Sequence, residues 1–128
     1  MKFTVVIREI GRTSPDYSLD FEAPALPTVG SYISIERPDI DTGHTEDLIV
    51  RHVWWRLHHP ETGGFATEPK VGSLVEIIVE CDQAIGPQSR DQWRASLEAA
   101  RQRGIQVEEF DISRFAVSEA DLASLKAR

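Results

Sequence analysis

The chain has 128 residues, 41% of them hydrophobic and 27% charged, with a net charge of −7 and a single cysteine. That length makes one domain, residues 1–128, the expectation, and it suffices to bury a core without a metal or a disulfide. Acids outnumber bases in both halves, ten to six over residues 1–64 and eleven to eight over 65–128, so no basic stripe offers itself to a phosphate backbone and nucleic-acid binding is not expected.

No apolar run approaches the roughly 20 residues of a membrane helix. The N-terminal apolar run is too short for a signal peptide. The unpaired Cys81 fits a reducing compartment. A cytoplasmic protein with no membrane partner is therefore expected.

Phe3 to Ile10 is β-branched and weakly alternating, which predicts a first strand. Ser14-Pro15-Asp16 supplies turn chemistry. Tyr17, Leu19 and Phe21 then share one face of a half-buried strand, expected to pair with the first as a hairpin. Pro24 and Pro27 make 23–28 a loop or an edge. Tyr32 to Glu36 is a third short strand, stopped by Pro38. The acid-rich stretch Asp39 to Asp47 is expected to be a solvated loop.

Leu48 to His59 follows as a long fourth strand. It holds three of the four histidines and two of the three tryptophans. Residues 60–72, with Gly63-Gly64, are a second loop. Ser73 to Asp82 is a fifth strand whose apolar face is Val75, Ile77, Val79 and Cys81.

Gly86-Pro87 breaks the pattern. A helix is predicted over about 90–103: Ser89 and Gln92 form a capping box, Trp93, Leu97 and Ala100 make one apolar stripe, and Gly104 suits the position after the end. Ile105 to Ile112 is a candidate sixth strand. Ser118 and Asp121 would cap a short last helix carrying Leu122 and Leu125. The β-rich part (1–82) precedes the helical part (89–128), so the class is α+β. About five antiparallel strands forming a curled sheet or a small half-open barrel, with the helix packed on it, are expected.

The long strand is the most informative segment. Alternation puts Ile49, Arg51, Val53, Trp55, Leu57 and His59 on one face, which looks core-like. The other face carries Leu48, Val50, His52, Trp54, Arg56 and His58. An indole removes some 150–250 Å² from water when covered, so Trp54 should have a cover. The first expectation is the chain's own helix, through Trp93 and Leu97. The second is a partner or ligand surface with Trp54 as anchor and His52, Arg56 and His58 around it. Self-association through the same face is the third.

Motifs of chemistry are few. His52 and His58 share a face but stand about 20 Å apart at roughly 3.3 Å per residue, too far for one metal. His58 and His59 at the strand end leave room for a loop site with Glu61 or His44, though no recognised zinc spacing occurs. Glu76 and Glu80 lie about 13 Å apart, beyond the ~5–9.5 Å of a glycosidase pair. Cys81 continues an apolar face, where a buried thiol is the ordinary case. No Rossmann, phosphate-loop or nucleophile-elbow fingerprint appears, so neither a cofactor nor a catalytic set is expected.

The leading expectation is a small accessory or protein-binding domain whose partner is protein, self or other. The alternatives are a metal-dependent or histidine-based hydrolase using His58 and His59 with loop acids, and an acidic inhibitor or immunity-type protein.

Overall fold

The computed structural model describes residues 1–10, 15–39, 41–61 and 70–111; of Pro15, Asp16, Asp41 and Thr42 it describes the backbone only. The strands are β1 (Lys2–Arg8), β2 (Pro15–Glu22), β3 (Tyr32–Arg37), β4 (Asp41–His58), β5 (Ser73–Ile85) and β6 (Glu108–Glu109), with one helix, α1 (Asp91–Gln102), among the described residues. The expected last helix at Ser118–Leu125 and the Gly63-Gly64 turn lie outside them. No helix among the described residues is long and apolar enough to cross a membrane.

The chain divides into two compact units. Unit 1 is Met1–Ser31 with Ile49–Asp82, and unit 2 is Tyr32–Leu48 with the residues from Gln83 onward. In unit 1 the hydrogen-bonded neighbours run β2-β1-β5-β4. The β1–β2 hairpin is antiparallel, pairing Val5 with Leu19 and Ile7 with Tyr17.

The expectation of an antiparallel sheet is corrected here. β1 and β5 are parallel, with Val5 opposite Val79 and Ile7 opposite Cys81. The alternations explain why this register holds: Phe3, Val5 and Ile7 on β1, and Ile77, Val79 and Cys81 on β5, all turn to the same buried side. A slip of one residue would expose the whole set. β5 and β6 are parallel too, so the sheet is mixed.

Unit 2 holds a second core of Leu48, Ala84, Ile85, Trp93, Leu97, Ala100 and Val107. The predicted stripe of α1 is the buried one, Trp93, Leu97 and Ala100. Trp93 also satisfies its polar atom, the indole Nε1–H donating to the Ala84 carbonyl at 2.9 Å. Gly104, at φ +87°, ends the helix as a left-handed residue, and its N–H reaches the Arg101 carbonyl at 3.0 Å.

Three further expectations are overturned in unit 2. The acid-rich stretch before Leu48 is not a solvated loop. Asp41–His58 is one continuous strand, and Thr45, Glu46 and Asp47 are buried. The strand runs through Thr45-Glu46-Asp47-Leu48, where the acids are tolerated because each is partnered. Glu46 meets Arg37 at 3.2 Å and Arg90 at 4.0 Å.

Asp47 accepts hydrogen bonds from Ser34 Oγ (2.5 Å), Thr45 Oγ1 (2.9 and 3.0 Å) and Ser89 Oγ (2.5 Å). The capping box is not formed either. Arg90 occupies the N-cap position without a side-chain cap bond, and Ser89 binds Asp47 while accepting the Gly86 N–H at 2.8 Å. Finally, β5 continues three residues past Asp82 before Gly86 ends it, and the sixth strand shrinks to two residues.

Candidate functional site

The site begins where β4 leaves the core. Leu48, Ile49 and Val50 are buried, and from His52 onward the strand turns outward to solvent. Trp54 is 56% exposed, Trp55 47% and Leu57 64%. Successive strand residues point to opposite faces, so both faces of this ribbon are open. Its neighbour is the start of β5, where Leu74 is 49% exposed, with Val71 just before it at 91%.

The two strands run antiparallel. Arg51 Nε meets Asp82 at 2.8 Å, His52 Nδ1 meets Glu80 at 3.1 Å and Arg56 Nε meets Glu76 at 3.3 Å, the partners falling in number as β4 rises. Glu80 also pairs with Arg8 of β1. These pairs are part-exposed, each worth about 0–1 kcal/mol, and they fix the rotamers of the cations more than they stabilise the fold.

Two expectations about the ribbon are corrected. The face of Trp55 and Leu57 is not core: only its first member, Ile49, is buried. The cover expected over Trp54 is not found: it keeps more than half its surface exposed, and Trp93 and Leu97 are buried in unit 2.

The four residues singled out from the sequence thus fall on one ribbon. Trp54 stands open, His52 and Arg56 are tied to β5 carboxylates, and His58 is exposed at the tip. Trp55, Leu57, Val71 and Leu74 join them, and strand periodicity alone did not separate these from core residues. Because Trp54 and Trp55 point to opposite faces, this exposed apolar surface is divided between the two sides of the ribbon.

The tip also holds a recess of about 530 Å³ between Leu57–Pro60 and Gly72–Leu74, with His58, His59 and Ser73 in its lining. Gly72 is required there. A Cβ at that position would collide with the His58 carbonyl oxygen and lie 3.0 Å from Pro60 Cδ. His59 Nδ1 bonds the Pro60 carbonyl at 2.7 Å, and Glu61 pairs with Lys70 at 3.2 Å. Neither His58 nor His59 is hydrogen-bonded to Ser73, so among the described residues the recess presents imidazoles without a nucleophile–base pair. Among the described residues no three His, Cys, Asp or Glu side chains converge as metal ligands.

Cys81 is fully buried beneath the sheet of unit 1. Burial, with Asp82 and Glu80 on either side, pushes its thiol up to about 12, so it stays protonated and is no nucleophile at neutral pH.

No family model, no curated protein and no solved structure matches this chain.

Proposed function

We propose that the chain is a small accessory domain that binds protein through the β4–β5 ribbon, with Trp54 as anchor and His52, Arg56 and His58 as the polar rim. The observation that carries this reading is the simultaneous exposure of Trp54 and Trp55 on consecutive strand positions. Large aromatics left in water on both faces of a strand do nothing for the fold, whereas tryptophan and arginine dominate the energetics of protein contacts. The ion pairs to Glu76, Glu80 and Asp82 support the same reading, since they hold Arg56, His52 and Arg51 in place before a partner arrives.

The test is affinity capture from an extract of the source cells with the wild-type chain and Trp54→Ala side by side, followed by titration of the captured protein. The proposal expects a protein held by the first and bound at least ~30-fold more weakly by the second, about 2 kcal/mol. Equal affinity of the two chains, with the partner's footprint elsewhere, overturns it.

A further inference from the structure

We infer that the partner seated on the ribbon is a second copy of this chain, joined through the outer edge of β4. This rests on the reading of the ribbon as a protein-contact surface. On the side of β4 away from β5, Gly30 N–H donates to the Val50 carbonyl at 2.8 Å and Val50 N–H to the Ser31 carbonyl at 2.9 Å. The strand neighbours of β4 are β5 and β3, and β3 starts at Tyr32, one residue after the Ser31–Val50 contact. The bonds Ser34–Asp47 and Arg37–Glu46 show β3 pairing with progressively earlier residues of β4. From His52 to His58, therefore, no described strand occupies that edge.

Open edges of this length are normally blunted by charged side chains, especially lysine, by proline or by a very short strand. This one carries neither lysine nor proline, its Arg56 and His52 are drawn to Glu76 and Glu80 of β5, and two exposed tryptophans stand between them. Such an edge is open to pairing.

The side-chain register favours a second copy. Edge pairing would set the part-exposed indoles of Trp54 and Trp55, on opposite faces of β4, against the second copy on both sides of the joined sheet. In an antiparallel pair of identical strands, the residues that point their main-chain groups outward have the same parity in both copies. The axis must then pass a residue, not a gap between residues. Centring on Arg56 would stack two guanidinium groups, and centring on Trp54 would set Arg56 beside His52 of the second copy. Centring on Trp55 sets Arg56 under the indole of Trp54, a cation–π contact, and opposes Val53 with Leu57. That register brings no like-charged arginines together. It is isologous, so it closes at two copies.

Sedimentation equilibrium between ~5 and 300 µM tests this on the full chain. The mass is expected to rise from 14.4 kDa toward twice that value. Trp54→Lys and Trp55→Lys should each weaken the association at least tenfold. As a readout that needs no folded lysine variant, hydrogen exchange of the wild-type amides over 52–58 should slow as concentration rises. A single-copy mass throughout overturns the inference. If that result comes with Trp54-dependent capture of another protein, the ribbon serves a different partner and the reading of it as a contact surface stands. Growth beyond two copies, or a dimer that keeps amides 52–58 unprotected, also overturns it.

Discussion

Replacing Asp47 with alanine removes one carboxylate and strands three hydroxyl donors. Asp47 is 1% exposed, and the groups it serves, Ser34, Thr45 and Ser89, come from β3, β4 and the turn ahead of α1. That turn is aligned with β4 by two main-chain bonds, Thr45 N–H to the Gln88 carbonyl at 2.9 Å and Arg90 N–H to the Thr45 carbonyl at 2.8 Å. The carboxylate is thus the joint between three segments of unit 2. A hydrogen bond to a charged group is worth about 1.5–3 kcal/mol, and a buried donor left alone costs about 1–3 kcal/mol. Some hydroxyls will re-pair with one another, so a loss of about 3–5 kcal/mol is expected. At roughly 3–6 °C per kcal/mol for a chain of this size, the melt should fall by about 10–30 °C. Asp47→Asn keeps the shape and one acceptor oxygen, and should lose about 1–3 kcal/mol. Urea unfolding followed by circular dichroism reads both, with exposed Asp39→Ala as a control expected within about 0.5 kcal/mol of wild type. An alanine variant within 1 kcal/mol of wild type refutes the view that this cluster holds unit 2 together.

Two other outcomes follow from the structure. Cys81 should resist a thiol reagent in the native protein at pH 8 and react fully in 6 M guanidinium; prompt native labelling would contradict its burial. Because its folded-state pKa, about 12, stands above the ordinary 9.0, the native state holds the proton more tightly. The stability this group contributes is complete below about pH 9 and is lost as pH rises toward 12, and a Cys81→Ala variant should lack that alkaline loss. Gly72→Ala should destabilise the ribbon tip through contact with the His58 carbonyl and Pro60, raising amide exchange over 57–59 and 72–74 by tenfold or more; unchanged exchange would show that the tip yields freely.

Local signals carried the local elements. The β1–β2 hairpin follows from Phe3-Val5-Ile7 facing Tyr17-Leu19-Phe21, and α1 from the spacing of Trp93, Leu97 and Ala100. The parallel pairing of β1 with β5 was not legible, because it joins segments some seventy residues apart and alternation says nothing of direction. Ser89 and Gln92 fit a capping box by type and spacing, yet the helix starts one residue later, with Arg90 at the N-cap, and the Ser89 hydroxyl accepts the Gly86 N–H while donating to Asp47. The acids of 39–47 suggested a loop by composition, and the cations and hydroxyls that allow their burial come from β3 and from the residues ahead of α1. At the candidate site, the residues were legible and their exposure was not. Trp54, Arg56 and His52 stood out by type. Whether Trp55 and Leu57 were core depended on what packs against their face of the sheet, which no pattern within β4 records.

The central claim is that the tryptophans of the ribbon face outward and contribute to contact, not to the core. Urea unfolding at ~1 µM of Trp54→Ala, Trp55→Ala and Trp93→Ala measures it directly. The two ribbon variants should each stay within about 1 kcal/mol of wild type, while Trp93→Ala, which empties a core site and orphans the Ala84 carbonyl, should lose about 3–5 kcal/mol. A loss at Trp54 or Trp55 as large as that at Trp93 would mean these indoles are packed, and would contradict the account.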